Sequence, residues 1–108
     1  MSPRHRSKHR RHRIDYAESV VDHLKRLGAH DRAIVIDAIE EQLSFAPSTQ
    51  TRNRKRMEEN SLGADFELRI RMFRVYYEID ADAHVVSVLA VGYKIRNRVV
   101  IGGEEIDL

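Results

Sequence analysis

The residues in this sequence best suited to chemistry are arginines, lysines and a tyrosine in its second half. Arg69, Arg71 and Arg74 lie close together, and Tyr76 follows them. A guanidinium group can bind a phosphate through two parallel hydrogen bonds, and a phenol ring can stack on a nucleobase. These residue types therefore point to a site for a ligand that carries phosphate groups, such as a nucleic acid.

The same residue types could cleave RNA through attack of the ribose 2′-hydroxyl on the neighbouring phosphate. The reaction needs a proton acceptor, a proton donor for the leaving oxygen and positive charge that stabilises the pentavalent phosphorane. Arginine suits the last role but is a poor base, whereas lysine can act as a base where adjacent cations lower its pKa. Lys55 and Lys94 both have arginines nearby. One hypothesis pairs Lys94 with Tyr76 as acid and base.

Strand periodicity indicates how these side chains are positioned. Apolar residues alternate with charged ones over residues 66–71 and again over residues 73–80, with a tight connection near Met72. Period-two alternation predicts two strands of a hairpin with one apolar and one polar face. The apolar face is expected to pack against helices and consists of Phe66, Leu68, Ile70, Phe73, Val75, Tyr77 and Ile79. The opposite face should then gather the arginines and Tyr76.

Helical spacing appears in the first half of the chain. Apolar residues recur at helical intervals from Ala17 to Leu27, and a second stripe ends at Leu43. We expect Gly28 to follow the first helix and Asp31 to cap the second, and the short link predicts an antiparallel helical hairpin.

The remaining pattern completes an α+β fold. Residues 14–16 could form a short strand, the apolar run of residues 85–91 predicts a central strand covered on both faces, and residues 99–101 could form a last strand. We expect the acidic end after Gly102 to fray. The fold class is therefore α+β, with an N-terminal antiparallel helical hairpin packed on a small antiparallel sheet.

Charge is distributed unevenly along the 108 residues. Residues 1–13 carry six arginines or lysines, three histidines and no acid, which leaves a net charge of −4 on residues 14–108. We predict a disordered basic arm over residues 1–13 and a single domain over residues 14–108. His5, His9 and His12 have helix-like spacing, but the flanking arginines favour a solvated arm over a metal site.

Composition excludes several classes of function. The absence of cysteine excludes disulfides and thiolate chemistry, and no apolar run approaches the roughly 18 residues that a membrane span needs. We expect no cofactor, no metal and no membrane partner. The arginine face itself has two interpretations: an anion site, or a solvated face on which Glu67 and Glu78 pair with the arginines. Composition favours neither.

Three segments together resemble the RelE/ParE superfamily of bacterial toxins, which belong to type II toxin–antitoxin modules. They are TRNRKRM, FELRIRMFRVYYEID and VVSVLAVGYKIRNRVVIGGEE, and the resemblance covers about residues 13–108. It implies two helices on an antiparallel sheet whose concave face binds the target. It also implies a cytoplasmic toxin with a cognate antitoxin. RelE-like members cut mRNA on the ribosome, whereas ParE-like members poison DNA gyrase.

The resemblance also implies roles for individual residues. The candidate catalytic residues, which would stabilise phosphate charge or assist proton transfer, are Arg74, Lys94 and Arg69. Among the candidate RNA-binding residues, Lys55 follows from the resemblance. The others follow from their positions on or beside the predicted cationic face, and they are Arg54, Arg71, Tyr76 and Arg96.

The sequence departs from RelE at three places. Asp65 and Glu67 stand at about the positions of two RelE lysines, Val100 falls near the RelE C-terminal tyrosine, and Arg71 replaces a glycine that many members have in the hairpin turn. The RelE acid–base set is therefore incomplete. Three hypotheses stay open: a ribosome-dependent mRNA endoribonuclease, a gyrase-binding toxin without chemistry, or a nontoxic nucleic-acid-binding module whose affinity comes from the basic arm.

Overall fold

The computed structural model describes residues 11–108, which form two helices and seven strands. The helices are α1 (Glu18–Lys25) and α2 (Ala29–Leu43). The strands are β1 (Arg13–Tyr16), β2 (Arg54–Arg56), β3 (Phe66–Ile70), β4 (Phe73–Asp80), β5 (Val85–Ile95), β6 (Arg98–Ile101) and β7 (Glu104–Ile106).

All seven strands belong to one sheet with β5 at its centre. Six strands follow the order β2-β3-β4-β5-β6-β7, each antiparallel to its neighbour. On the side of β5 away from β4, two strands pair with it. β1 pairs in parallel with its first half, and β6 pairs in antiparallel with its second half. The predicted central strand is confirmed, but the sheet is not purely antiparallel.

The helices follow a strand, so the predicted N-terminal helical hairpin is not confirmed. Gly28 has φ −63° and ψ 158°, the extended conformation of a residue that precedes a helix. Gly28 is therefore the N-cap of α2, and it is not a left-handed residue that ends α1. Asp31 lies in the first turn of α2, where its negative charge interacts favourably with the helix dipole, and it is not the cap.

The main core lies between the helices and one face of the sheet. The predicted apolar face of β3 and β4 packs there, with Ile79 at its margin. From the helices come Val20, Val35, Ile39 and Leu43, all fully buried. The assignment of strand faces from period-two alternation is confirmed.

A β-bulge in β5 separates two adjacent tyrosines. Tyr76 pairs with Ala90 and Tyr77 with Val88, so Leu89 is an extra residue on β5. Tyr77 packs in the helix-side core, where its hydroxyl donates a hydrogen bond to the carbonyl of Pro47 at 2.8 Å. Tyr76 is buried in a second, smaller cluster on the other face of the sheet. Both rings are therefore buried, although they point to opposite faces.

Two strands were missed by the sequence analysis. β2 lies inside the basic segment TRNRKRM, for which no strand was predicted, and β7 lies in the acidic end that was predicted to fray. Gly102 and Gly103 both have positive φ, 62° and 83°, and form the tight turn from β6 to β7. The prediction of a frayed end is therefore wrong.

The predicted basic arm lies largely outside the described residues, and so do His5 and His9. Of the residues predicted to belong to it, Arg13 begins β1, and the backbone N–H of His12 donates to the carbonyl of Ser44 at 2.7 Å. Within residues 11–108, neither helix is long and apolar enough to cross a membrane.

His23 ties α1 to the centre of the sheet. On one side of β5, β1 ends opposite Val88 and β6 ends opposite Gly92, so the backbone between these two positions has no strand partner there. The Nδ1 atom of His23 accepts a hydrogen bond from the backbone N–H of Val91 at 3.2 Å. Burial lowers the pKa of His23, against the smaller opposing effect of Asp22.

We expect His23 to make the stability of the fold depend on pH. A lowered pKa in the folded state favours the neutral ring, so its stabilising contribution is present above the ordinary value of 6.5 and lost as the pH falls through the folded-state pKa. His23→Asn keeps an acceptor oxygen but does not titrate. Urea unfolding at pH 8 and pH 5 should show a smaller loss of stability in this variant than in the wild type. Equal losses would contradict the assignment.

Candidate functional site

An open cavity of about 540 Å³ lies on the sheet face that the helices leave uncovered. Four of the eight predicted site residues line it: Lys55, Arg69, Tyr76 and Lys94. The other four, which do not line it, are Arg54, Arg71, Arg74 and Arg96. The sheet therefore brings half of the predicted residues together and separates the rest.

Strand register explains why side chains distant in sequence meet in this cavity. Lys55 on β2 pairs with Glu67 on β3, and Glu67 pairs with Tyr76 on β4, which places one row of side chains across three strands. Arg69 lies two residues beyond Glu67 and therefore projects from the same face. Lys94 reaches the cavity from the far end of β5.

Arg69 is held by Glu67 at the floor of the cavity. The Nε atom of Arg69 lies 2.8 Å from Oε1 of Glu67, whose side chain is only 16% exposed. Arg69 also pairs directly with Arg74 across the hairpin. Because like charges at directly opposite positions repel, Glu67 offsets a local excess of positive charge. The pairing interpretation is thus correct for this arginine, which nevertheless remains open to solvent on one side.

The charges that line the cavity are balanced, whereas the sequence predicted a cationic patch or a face on which Glu67 and Glu78 pair with the arginines. The cationic side chains are Lys55, Arg56, Arg69 and Lys94, and the carboxylates are Glu58, Glu59, Glu67 and Asp107. Such a lining suits a ligand that has both anionic groups and hydrogen-bond donors. RNA is one such ligand, because its phosphates are anionic while its ribose hydroxyls and base amino groups can donate.

Tyr76 forms the buried floor beneath these charges. Its ring is fully buried, so it is not available to stack on a base in this structure. Its hydroxyl is buried next to Glu67, without a well-formed hydrogen bond to any of the described residues. Burial, reinforced by the negative charge of Glu67, raises the pKa of Tyr76, so the phenol stays protonated at neutral pH and cannot accept a proton there. Its suggested role as the acid beside Lys94 stays a prediction.

Arg74 lies beside the cavity and supports the β3–β4 turn. Its Nη1 atom donates to the carbonyls of Arg71 and Phe73, at 2.8 and 2.9 Å. These contacts hold the turn in place through Nη1 alone, and the N–H donor of Nε is left buried without a partner among the described residues.

Gly92 lies opposite Arg74 and permits close approach of β5 and β6. A Cβ atom at this position would collide with the carbonyl oxygen of Val100 and the side chain of Ile101. Gly92, in the sequence Val91-Gly92-Tyr93-Lys94, is therefore required for β5 and β6 to pack closely. This packing places Lys94 at the cavity.

Arg54 lies on the opposite face of the sheet from the cavity. Its Nη1 atom donates to the carbonyls of Gln42 and Ala46, at 2.8 and 3.0 Å, where α2 ends. In the same strand, Lys55 projects toward the cavity from the sheet floor, whereas Arg56 lines the cavity at its edge with its guanidinium over the Phe66 ring, 4.9 Å from the ring centre. Arg71 and Arg96 are exposed at the tips of two hairpins, and Arg98 likewise does not line the cavity.

One wall of the cavity is a segment that the sequence analysis did not connect with the site. Asn60 organises this segment, because its side-chain nitrogen donates to the carbonyls of Glu58 and Ala64 at 2.8 and 2.9 Å. Its side-chain oxygen accepts from the N–H groups of Leu62 and Ala64, both at 3.1 Å. The turn sequence Asn-Ser-Leu-Gly was the only signal, and it indicates a turn without indicating where the turn packs.

A protein-family model described as the ParE toxin of the type II toxin–antitoxin system parDE matches residues 6–98. The chain belongs to this toxin family. Membership confirms the resemblance to RelE/ParE toxins drawn from the sequence motifs. No curated protein sequence matches this ParE-family chain significantly.

Solved structures of RelE proteins share the fold of this ParE-family toxin. A RelBE2 toxin–antitoxin complex from Mycobacterium tuberculosis has a TM-score of 0.68 at 22% identity, over 79% of this chain and 93% of that chain. A RelE–RelB complex from Pyrococcus horikoshii has a TM-score of 0.64 at 18% identity, over 79% and 97%. The isolated Escherichia coli RelE toxin has a TM-score of 0.59 at 20% identity, over 79% and 86%.

Proposed function

We propose that this ParE-family toxin inhibits translation by binding mRNA in the cavity and cleaving it on the ribosome. The observation that carries the proposal is the convergence of Lys55, Arg69 and Lys94, from three different strands, on one open cavity. Its volume of about 540 Å³ is within the range of ligand-binding clefts, roughly 300–1,000 Å³.

The proposed reaction assigns each step to a group in the cavity. The ribose 2′-oxygen attacks the adjacent phosphorus and transfers its proton to Glu67, the only cavity carboxylate on a strand of the sheet floor among the described residues. The bond from phosphorus to the 5′-oxygen breaks, and that oxygen takes a proton from Lys94. The products are a 2′,3′-cyclic phosphate and a 5′-hydroxyl.

Positive charge completes the proposed site. Arg69 stabilises the negative charge that develops on the phosphorane oxygens, since a preoriented cation acts most strongly where charge forms in the transition state. Lys55 binds the phosphate of a neighbouring nucleotide. Arg74 acts as a positioning residue for Arg69, with which it pairs across the hairpin. Its hydrogen bonds to the carbonyls of Arg71 and Phe73 fix the β3–β4 turn.

A cognate antitoxin and a cytoplasmic location belong to the same proposal. Two of the similar structures are complexes of a toxin with its antitoxin. By analogy, an antitoxin would neutralise this toxin by covering the cavity. A ribosomal target would be met in the cytoplasm.

Inhibition of DNA gyrase through protein binding alone is the second candidate function. The balanced charge of the cavity favours it, because four carboxylates cancel the long-range attraction that four cations would exert on RNA, although the lining can still contact both phosphates and hydrogen-bond donors. The match to a ParE family model gives further support.

Two assays on the purified full chain separate these candidates. The toxin is added to a reconstituted translation system with a defined mRNA, whose ends are mapped by primer extension, and in parallel to a gyrase supercoiling reaction. Cleaved mRNA with normal supercoiling is the expected result. Inhibited supercoiling with intact mRNA would overturn the proposal in favour of gyrase, and no effect in either assay would overturn both.

A further inference from the structure

Two hairpin connections lie side by side at one end of the sheet, next to the cavity, which Asn97 of the second connection lines. Arg71 and Met72 join β3 to β4, whereas Arg96 and Asn97 join β5 to β6. The backbone N–H of Lys94 donates to the carbonyl of Met72 at 2.8 Å, which links the two connections directly.

Each connection holds an arginine in an unfavourable backbone conformation. Arg71 has φ 56° and Arg96 has φ 57°, in the left-handed region where glycine is favoured. The structure gives neither guanidinium a hydrogen bond or ion pair with any residue of the 11–108 range. Each arginine is the first central residue of a two-residue hairpin connection, a position where the favoured turn types require positive φ, so turn geometry accounts for this conformation. The unpaired guanidinium groups are therefore the feature that makes these two arginines available to a partner.

Two large apolar side chains are exposed beside these arginines. Met72 is 47% exposed and Ile95 is 48% exposed. Together, Arg71, Met72, Ile95 and Arg96 form what we call the hairpin-tip surface, and none of the four lines the cavity. Methionine and arginine are both enriched in protein–protein interfaces, and methionine adapts readily to a partner surface.

We propose that the hairpin-tip surface docks a partner protein through a segment that carries both acidic and large apolar side chains. The acidic groups complement Arg71 and Arg96, and the apolar groups cover Met72 and Ile95. An RNA backbone fits less well, because phosphates would satisfy the arginines and leave the apolar pair exposed to water. A second copy of the same surface also fits poorly, because its arginines would face like charges.

The docking surface is independent of the cavity chemistry and can be tested without it. The probe is a synthetic peptide of repeating leucine and glutamate, titrated into the isotope-labelled full chain while backbone amide NMR shifts are recorded. We expect the largest shift changes at Met72 and Ile95. We expect the double variant Met72→Ser/Ile95→Ser to weaken peptide binding at least tenfold.

A matched control comes from α1, where Val21 is 52% exposed and distant from the hairpin tips. Val21→Ser removes a similar exposed apolar side chain and should leave binding unchanged. Equal weakening by Val21→Ser would overturn the proposal. Equal affinity for a glutamate-only peptide would also overturn the proposal, because the apolar pair would then contribute nothing. Peptide-induced shift changes centred on the cavity would overturn it as well. So would a result in which polyuridylate shifts the amides of the hairpin-tip surface and the peptide does not.

Replacing Arg71 and Arg96 with glycine distinguishes their effect on partner binding from their effect on the stability of the fold. The double variant Arg71→Gly/Arg96→Gly retains both turn backbones, including the carbonyl that Arg74 contacts. Because glycine tolerates positive φ, we expect its melting temperature to rise while its affinity for the leucine–glutamate peptide falls. A lower melting temperature or unchanged affinity would contradict the proposal that these arginines serve a partner.

Discussion

Replacing Arg69 with alanine is expected to reduce mRNA cleavage by about 10²–10³-fold, or roughly 2.7–4 kcal/mol of transition-state stabilisation. Arg69 is the cation at the cavity floor that a carboxylate already holds in position, with Nε and Oε1 2.8 Å apart. Its removal takes away both the charge that faces the phosphorane and the group that orients Glu67. The measurement is the rate at which cut ends of a defined mRNA appear on ribosomes.

The controls for this prediction separate charge, geometry and folding. Arg98→Ala removes the same charge from an exposed side chain that does not line the cavity, and its cleavage rate should equal that of the wild type. Arg69→Lys keeps a point charge but loses the planar donor geometry, so an intermediate rate is expected. Thermal unfolding of each variant ensures that rates are compared between folded proteins. Wild-type cleavage by Arg69→Ala would exclude the proposed role.

Alternation in the sequence was sufficient to predict the β3–β4 hairpin and its two faces. Strongly apolar residues at every second position allow only one register to bury them, and a shift of one residue would expose the whole set. Arg69 and Tyr76 were therefore correctly placed on the face opposite the helices. The burial of the Tyr76 ring was not predictable, because it depends on the bulge at Leu89 and on packing against Ala64 and Ile101.

The remaining elements depend on contacts between residues far apart in the chain. β1 is short and mixes charged with apolar residues, and its strand character comes from parallel pairing with β5 about seventy residues away, a pairing that no local pattern specifies. β7 likewise depends on a turn of two glycines and on pairing with β6.

At the cavity, too, the roles of the basic residues 54–56 depend on strand pairing that the local sequence does not reveal. Without an assigned strand, Arg54 and Lys55 were both predicted to bind RNA. As strand β2, it alternates between faces, and the pairing of Arg54 with Leu68 sends Arg54 to the helix side while Lys55 faces the cavity. Recognition of β2 as a strand would have separated the two residues from the sequence alone.

Arg54→Ala is expected to destabilise the fold by about 2–4 kcal/mol, because two charge-assisted hydrogen bonds to backbone carbonyls are lost. The last turn of α2 has no basic residue of its own, and Arg54 supplies that charge from β2 through the carbonyls of Gln42 and Ala46. A cation at a helix C-terminus also interacts favourably with the helix dipole. Tyr77 holds the next residue, Pro47, so the loss should loosen the whole connection after α2.

Equilibrium urea unfolding measures this effect, and Arg52 provides the matched control. Arg52 is exposed in the same basic segment, so Arg52→Ala should change the unfolding free energy by no more than about 0.5 kcal/mol. Arg54→Lys should recover only part of the loss, because the lysine ammonium lies one bond closer to the backbone than Nη1, the single atom of Arg54 that donates to both carbonyls. Unchanged stability of Arg54→Ala together with weakened RNA binding would return Arg54 to the nucleic-acid site that its sequence context first suggested.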